Sequence, residues 1–475
     1  MGIICNYRRN GMKRFAFALF AIFGVTASTT AAEIAISPKD RLWLDTLDVE
    51  VTGAAPGARV VVEASMEDLA GSIWTSRGTF TADIDGRIRT GDSASHEGTY
   101  TGVDPRGLIW SMLPTDSEGL NTCAEADCMP QDVPIFPALS VMKPTTISYR
   151  AIVETSVDSE STETVTTSGI SRYAAVDVRR EVVQSGSLRG VYFSPPGEGP
   201  HPAVVVITGS GGGVSERTAA LLASHGIAAF ALGYFNYQDR PRGLTNIPLE
   251  YFRDGLDWLR SKAGVDRVGL TGVSRGGEGV LIISSTFPDR VGAVVSSVPS
   301  NVVQPGCCGP GDISEPAWTL AGEALTSAPY RLKLGESFAT RFASEEDAPS
   351  WRRFYLPGML AGGDAAIEVE HIDGPILFIS GDADVLWPGD IAADLMMRRL
   401  AEKDFSHSTE HLKFTGAGHT AGGALPVTSM TSRTMHHSLA DAWIAFGGTP
   451  AMNAASTRGF LRQVEFFKTY LAPGG

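Results

Sequence analysis

The sequence lacks several features that mark particular classes of protein. No stretch approaches the roughly 18 continuous apolar residues that a membrane-spanning helix needs, so we expect no stable membrane span in the mature chain. Positive charge is also scarce, because 39 Lys and Arg stand against 53 Asp and Glu, which gives a net charge of −14. A nucleic-acid-binding protein needs a cationic face, and so does a protein that docks on anionic lipid. The charge balance disfavours both classes.

The N-terminal segment has the three parts of a secretory signal. A basic pair, Lys13–Arg14, precedes an apolar run over Phe15–Val25, and small residues ending in Thr30-Ala31-Ala32 follow. We therefore predict that residues 1–32 are a signal peptide cleaved after Ala32, which makes the mature protein exported, either periplasmic or secreted. The alternative is a retained segment that tethers the protein to the membrane, although the run is too short to span a bilayer core of about 30 Å.

Cysteine is rare, with five residues in 475. Cys5 lies in the predicted leader, so the mature chain keeps Cys123, Cys128, Cys307 and Cys308. An even number of cysteines in an exported protein suggests disulfides. The first two could close a short loop and the adjacent last two could form a vicinal bridge, while free thiols remain the alternative. Loose spacing in the first pair and adjacency in the second disfavour a zinc site, and we expect neither a metal nor a cofactor.

The remaining chain is long enough for two domains, and its pattern changes near residue 170. From 33 to 170, short segments alternate apolar and polar residues between turns, which predicts an all-β, immunoglobulin-like sandwich. The polar stretch 156–169 is predicted to be a hairpin tip or a linker. From 171 to 475, apolar strands alternate with helical segments, which predicts a mainly parallel sheet with helices on both faces. The stretch 301–370 breaks this rhythm and is interpreted as an irregular insertion that could cap a pocket.

The clearest functional signal is the stretch Gly272-Val273-Ser274-Arg275-Gly276, which matches the pattern G-x-S-x-G. The pattern alone is weak, because serine and glycine are common in turns. Here an apolar strand precedes it and a helical segment follows it, which is the placement of a nucleophile elbow. Ser274 is therefore the candidate nucleophile. Since a serine hydroxyl is a poor nucleophile without a base, an acid and a histidine should follow later in the chain.

Two later strand ends supply candidates for the base and the acid. His419 follows an apolar strand and lies in the glycine-flanked loop "GAGHTAGG", and Asp384 follows the strand "ILFIS". Because an open α/β sheet gathers its ligand site at the carboxyl ends of its strands, we expect these side chains to meet. Asp382 follows the same strand and is the alternative acid, but we expect it to cap or brace the turn.

An oxyanion hole needs two backbone N–H groups aimed at the tetrahedral oxygen. One should come from Arg275, the residue after the candidate nucleophile. The other should come from Ser210 or Gly211, in the loop "SGGG" that follows the strand "AVVVITG".

With these residues identified, the sequence resembles the family of acyl-CoA thioesterases and bile acid-CoA:amino acid N-acyltransferases. "SPKDRLWLDTLDVEVTGAAPGARVVVEASMEDLAG" carries the resemblance near the N-terminus, and "GVSRGGEG", "ILFISGDADVLW" and "GAGHTAGG" carry it later. The resemblance implies an N-terminal β-sandwich followed by an α/β-hydrolase catalytic domain, with Ser274 as nucleophile, Asp384 as acid and His419 as base. Family members that hydrolyse have serine at the nucleophile position and those that conjugate amino acids have cysteine, so the resemblance implies hydrolysis.

We therefore expect a serine hydrolase that cleaves a small-molecule acyl thioester, such as an acyl-CoA, through an acyl-enzyme intermediate. The alternative is a carboxylesterase or acyltransferase that uses the same three residues on an exported substrate without CoA, since export would separate the protein from cytosolic CoA esters. An inactive binding protein, whose N-terminal domain recognises a partner, is the third interpretation.

Overall fold

A computed structural model of the chain describes residues 31–115, 135–155, 161–309, 312–330, 336–437 and 441–472. The predicted signal peptide lies outside these residues except for Ala31 and Ala32, and the predicted Cys123–Cys128 loop lies outside them as well. From Ala32 onward, the described residues form one compact unit.

The described residues up to Arg172 form β-strands and one short helix, α1 (Gly107–Trp110). The strands are β1 (Glu33–Ser37), β2 (Asp40–Leu42), β3 (Asp48–Thr52), β4 (Arg59–Glu67), β5 (Ile73–Thr81), β6 (Ile88–Arg89), β7 (Glu97–Gly98), β8 (Leu113–Pro114), β9 (Thr145–Glu154) and β10 (Thr162–Arg172). They build a three-stranded sheet in the order β1-β3-β6 and a seven-stranded sheet in the order β2-β10-β9-β4-β5-β7, with β8 paired to β5. The immunoglobulin-like arrangement of these sheets stays a prediction.

Alternating side chains explain why these segments are strands. In β9, Ile147, Tyr149, Ala151 and Val153 are buried, and the residues between them are exposed or half-buried. This period of two is what a strand with one face on a core requires. The buried residues of β3 and β4 belong to the same apolar core, so the two sheets share it.

The interpretation of 156–169 as a hairpin tip or linker is wrong for its second half. Strands β9 and β10 pair antiparallel from Thr145 with Ser171 to Glu154 with Thr162. Strand β10 is polar because most of its side chains are exposed or only half-buried. A strand without a buried face lacks the alternation of apolar and polar residues from which strands are predicted.

The C-terminal region is built on an eight-stranded sheet among the described residues. The strands of this region are β11 (Arg179–Ser185), β12 (Leu188–Ser194), β13 (Ala203–Ile207), β14 (Ala228–Leu232), β15 (Ile247–Pro248), β16 (Val268–Val273), β17 (Val291–Ser297), β18 (Trp318–Leu320), β19 (Glu323–Ala324), β20 (Ile376–Gly381), β21 (Thr409–Phe414), β22 (Thr434–His437) and β23 (Ala442–Ala445). The large sheet has the order β11-β12-β14-β13-β16-β17-β20-β21. Strand β12 is antiparallel to both neighbours, and the remaining pairs are parallel.

Helices cover both faces of this sheet. The helices of this region are α2 (Glu216–Ser224), α3 (Leu249–Ala263), α4 (Arg275–Thr286), α5 (Phe338–Arg341), α6 (Trp351–Ala361), α7 (Gly389–Glu402), α8 (Pro450–Ser456) and α9 (Arg458–Tyr470), of which α5 and α6 belong to the stretch 301–370. In β13, Val204 and Val206 join the core that contains α2 and α9, whereas Val205 and Ile207 join the core that contains α3 and α4. Burial on both faces explains the continuous apolar run of this strand. None of the helices in the described residues has the length and apolar character needed to cross a bilayer.

The stretch 301–370 holds short strands and two helices, and so is less irregular than its sequence indicates. Pro357 and Gly358 lie inside α6 and interrupt its helical pattern. Its aromatic side chains form a third core, in which the rings of Phe342 and Trp351 stack with centroids 3.5 Å apart. This core includes Trp387, which follows β20, and it therefore adjoins the carboxyl ends of the sheet strands.

Candidate active site

Ser274 lies at the junction between β16 and α4, and its backbone has a conformation that residues other than glycine rarely adopt. Its φ is 58° and its ψ is −119°, and a non-glycine residue at positive φ persists only where its surroundings hold it. Its N–H donates to the carbonyl oxygen of Ser297 at 2.9 Å, and its carbonyl oxygen accepts from the N–H of Glu278 at 2.9 Å. The end of β17 and the first turn of α4 thus hold the serine in the strained turn of a nucleophile elbow.

Three glycines let the backbone close around this turn. A Cβ on Gly272 would lie closer than 3.0 Å to the carbonyl oxygen of Gly276, and a Cβ on Gly276 would lie equally close to the carbonyl oxygen of Thr208. A Cβ on Gly209 would lie 3.2 Å from the Cβ of Ser274. Real Cβ atoms essentially never come within 3.0 Å of such atoms, so the elbow requires glycine on both sides of the serine.

His419 is joined to Asp384. The Nδ1 atom of His419 lies 2.7 Å from Oδ2 of Asp384, and both side chains are buried. The other carboxylate oxygen, Oδ1, accepts from the N–H groups of Leu386 and Trp387, each at 2.9 Å. A carboxylate held in this way keeps the proton on Nδ1, which leaves Nε2 of the imidazole as the acceptor nitrogen.

The backbone and ring of Phe446 also fix the histidine. The N–H of His419 donates to the carbonyl oxygen of Phe446 at 2.7 Å, and the two rings stack with centroids 5.7 Å apart. Asp382 has a different partner, because its Oδ1 accepts from the N–H of Gly416 at 2.7 Å. Asp382 therefore ties the end of β20 to the loop after β21, whereas Asp384 orients the imidazole.

Four of the six predicted site residues line one cavity of about 920 Å³, while Asp384 lies behind His419 and Arg275 lies outside the lining. Ser274, His419, Ser210 and Gly211 all line it. In this part of the described chain, the hydrogen bonds include none between the hydroxyl of Ser274 and the imidazole. Catalytic contacts of this kind are often long without substrate and shorten when it binds. The cavity also takes Phe136 from the N-terminal region, a contribution that no local pattern in the sequence indicates.

Sequence reasoning missed a buried ion pair next to Ser274. Nη1 of Arg275 lies 3.3 Å from Oε2 of Glu278, with the two side chains 3% and 0% exposed. Oε1 of Glu278 accepts from the N–H of Gln304 and from Nε1 of Trp318, both at 3.0 Å. Burial raises the pKa of Glu278, while the charge of Arg275 and these two donors oppose that shift. The sequence did contain a signal for this pair, because residues i and i+3 of a helix lie next to each other on its surface.

The guanidinium of Arg275 also holds the loop that carries two cysteines. Its Nη2 donates to the carbonyl oxygens of Gln304 and Pro305, at 3.3 and 2.9 Å. Beyond them, Cys307 and Cys308 are bonded to each other, so the vicinal bridge is the alternative that the fold adopts. Among the described residues, no group of three or more His, Cys, Asp or Glu side chains is placed to hold a metal ion.

The sheet order and the site together define the class of protein. In the described residues, the second strand of the large sheet, β12, is its one antiparallel member. The elbow serine follows β16, the fifth strand of this sheet in chain order, and the histidine–aspartate pair lies at the ends of later strands. These are the features of an α/β-hydrolase. The chain is therefore an enzyme of this fold class.

Comparison with known families identifies the branch of that class. The family described as "Acyl-CoA thioester hydrolase/BAAT N-terminal region" matches residues 45–185. The family described as "BAAT / Acyl-CoA thioester hydrolase C terminal" matches residues 247–310 and 356–473. The two matches together cover more than half of the chain. The chain belongs to the family of acyl-CoA thioester hydrolases and bile acid-CoA:amino acid N-acyltransferases, which confirms the resemblance seen in the sequence.

Curated relatives span nearly the whole chain. Acyl-coenzyme A thioesterase 2, mitochondrial, from Mus musculus is 27% identical over 445 residues, which are 93% of this chain and 90% of the relative. Bile acid-CoA:amino acid N-acyltransferase from Mus musculus is 28% identical over 451 residues, covering 93% and 98%. Among solved structures, an esterase/lipase from an uncultured bacterium is 16% identical, with a TM-score of 0.36, over 63% of this chain and 87% of that one.

The glycine requirement of the elbow can be tested by stability. We expect Gly276→Ala to lower the free energy of unfolding by about 1–3 kcal/mol or more, because the new Cβ forces a backbone shift against Thr208. The matched control is Gly211→Ala, whose Cβ would meet nothing within 4 Å. Urea unfolding measures both variants. Equal stability of the two would contradict the close approach described here.

Proposed function

We propose that the protein is a serine hydrolase that cleaves acyl thioesters through an acyl-enzyme intermediate. The observation that carries the proposal is the Asp384–His419 pair, whose histidine lines the same cavity as the elbow serine. Nε2 of His419 accepts the proton of Ser274 as Oγ attacks the thioester carbonyl carbon. The carbon–sulfur bond then breaks, and the proton passes to the leaving thiolate. Water, deprotonated by His419, attacks the acyl-enzyme and releases the carboxylic acid and the free serine.

The oxyanion of each tetrahedral intermediate would be held by backbone N–H groups. We assign these to Arg275 and to Ser210 or Gly211. The support is the close approach of the two loops, since a Cβ on Gly209 would lie 3.8 Å from the backbone nitrogen of Arg275. Arg275 also opens α4, so the positive end of the helix dipole adds to the stabilisation of negative charge there.

The substrate on this proposal is a small-molecule acyl-CoA or a related acyl thioester. Its support is the family, whose matched descriptions name acyl-CoA thioester hydrolases. The cavity of about 920 Å³ has the size of an ordinary small-molecule site. A second candidate is a carboxylesterase or acyltransferase with the same three residues. The similarity to an N-acyltransferase favours it.

The N-terminal region also has a place in the proposal. We infer that its two sheets form an immunoglobulin-like sandwich, on the evidence of their shared apolar core. The region touches the hydrolase part at α1, where the carbonyl oxygen of Trp110 accepts from the N–H groups of Thr428 and Ser429 at 3.0 and 3.1 Å. Together with Phe136 on the cavity wall, this contact supports a role for the N-terminal region at the substrate site.

Export is proposed from the leader. We expect the mature chain to begin at Glu33 and to be recovered from the periplasm or the medium. Expression with the full leader, followed by mass spectrometry of the N-terminal peptide in each cell fraction, measures this. A chain that keeps residues 12–32 in the membrane fraction would support the tethered alternative, and one that keeps them in the cytosol would contradict export.

The nucleophile is tested by Ser274→Ala. We expect kcat/KM for acyl-CoA hydrolysis to fall by about 10⁴-fold or more, because no other group can form the acyl-enzyme. A fluorophosphonate probe should label the wild type at the peptide containing Ser274 and leave the variant unlabelled. Ser285→Ala is the matched control, since its hydroxyl binds only the backbone of α4.

The same assay separates the two candidate functions. A rate on p-nitrophenyl esters with none on thioesters would favour the carboxylesterase. An acyl product on an added amino acid, formed faster than free acid, would favour the acyltransferase. Equal rates for wild type and Ser274→Ala on every substrate would refute both.

The acid is tested by a pair of neighbouring substitutions. We expect Asp384→Asn to lower kcat by about 10⁴-fold, because an amide cannot hold the imidazole in the required tautomer. Asp382→Asn should change kcat by less than about tenfold, since that carboxylate braces a turn and does not contact the imidazole. Steady-state kinetics of both variants gives the comparison. A larger loss for Asp382→Asn would move the role of the acid to that residue.

A further inference from the structure

We propose that a small apolar chamber beside Ser274, walled by the Cys307–Cys308 disulfide, is the acyl subsite and that it restricts the substrate to a short acyl group. The inference rests on the proposed function and names the acyl class for the same site. It differs from the alternative in which a long acyl chain lies in the cavity of about 920 Å³.

The chamber has a volume of about 50 Å³. Ser274, Arg275, the two cysteines and Tyr355 are among the residues that line it. One water molecule occupies about 10–15 Å³ of such volume, so the chamber has room for roughly three to five non-hydrogen atoms. A butyryl group fills that space, and a decanoyl group does not fit in it.

The two substituents of a thioester carbonyl explain why two cavities should meet at the nucleophile. The acyl chain and the sulfur-linked carrier leave the attacked carbon in different directions, so each needs its own space. Ser274 lines both the chamber and the larger cavity, as do Ser210, Leu386, His437 and Ile444, so the two spaces adjoin each other at the serine. A substrate attacked there places one substituent in each.

The chemistry of the walls decides which substituent goes where. The chamber is walled by the disulfide and by aromatic rings such as those of Phe338 and Tyr355. The larger cavity is mostly apolar but also presents Glu216, Arg217 and Asn236, side chains that can bind a polar carrier. Burying a polar group without a partner is costly, so a polar carrier suits the larger cavity and the apolar acyl group suits the chamber.

The chamber is also held at its small size. The ring of Tyr355 packs on those of Trp351 and Trp387, with centroids 5.7 and 4.6 Å away. The disulfide loop is fixed by the guanidinium of Arg275 and by paired backbone bonds between Leu244 and Cys307, at 3.0 and 3.2 Å. Widening the chamber would require this loop or the aromatic stack to move, so a longer acyl chain cannot enter at little cost.

The test is a series of saturated acyl-CoA substrates from acetyl to palmitoyl, hydrolysed by the full chain in its oxidised state. We expect kcat/KM to be highest for acyl groups of two to about five carbons and to fall at least tenfold by decanoyl, because one misplaced methylene costs about 10-fold or more in a closed pocket. A maximum at palmitoyl would overturn the proposal and place the acyl chain in the larger cavity.

Variants then locate the selectivity in the chamber. Phe338→Leu removes bulk from a wall of the chamber only, and should raise the ratio of hexanoyl to butyryl kcat/KM about tenfold or more. Leu139→Ala, which enlarges only the larger cavity, should leave that ratio within about twofold. If both variants shifted the ratio of hexanoyl to butyryl kcat/KM equally, that result would contradict the assignment of the chamber as the acyl subsite.

The disulfide supplies a second, independent measurement, and its first arm, reduction of the wild type, needs no substitution. Reduction of the wild type with dithiothreitol should raise the same ratio, and Cys307→Ser/Cys308→Ser should show the raised ratio with or without reductant. An unchanged ratio in both the reduced wild type and the double variant would overturn the role of the disulfide even if Phe338→Leu failed to fold.

The substrate series distinguishes failure of this inference from failure of the proposed function. Absence of hydrolysis across the whole series would overturn the proposed function, whereas hydrolysis without a preference for short chains would overturn this inference alone.

Discussion

The active-site region depends on one close approach of backbones, at the point where β16 turns into α4. Ser274 can be held at positive φ only because the carbonyl oxygens of Thr208 and Gly276 come closer to the elbow glycines than any side chain would permit. That packing sets the serine at the carboxyl end of β16, brings the loop after β13 against it and aims the first turn of α4 toward it. A backbone strained at one residue persists because its neighbours leave it no other conformation.

A second set of glycines positions the loops of Asp384 and His419 in the same way. Residues 447 and 448 are glycines at φ 72° and 71°. Gly447 forms a bridge with Asp384, and Gly448 forms one with Ala417, two residues before His419. This glycine pair therefore lies between the two loops and ties them together. The short Nδ1–Oδ2 contact follows from a backbone arrangement in which side chains would have kept the loops apart.

The parts of this arrangement that the sequence predicts are those with a local pattern. The buried strands β13, β16 and β20 are continuous apolar runs, and the elbow has its own short pattern, so the sequence places Ser274, Asp384 and His419 on strand ends. The edge strand β11, most of whose residues are exposed, and the half-exposed β10 lack such a pattern. Helix α7 is amphipathic but begins after "DVLWP" without a polar cap, and sequence reasoning passed over it. Phe136 lines the cavity together with residues that are far from it in the chain. A short stretch of sequence cannot predict such a long-range contact.

The buried pair of Arg275 and Glu278 links these local features to the shape of the site. Taking two charges out of water is expensive, and further hydrogen bonds to a buried pair offset part of that cost. Here those bonds come from residues 304, 305 and 318, all in the segment that leads to or follows the disulfide. Arg275 therefore has its backbone beside Ser274 and its guanidinium on the loop that carries the disulfide. A movement of the disulfide loop would displace Arg275 and with it the first turn of α4. The side chain of Arg275 therefore links the position of Ser274 to the size of the chamber beside it.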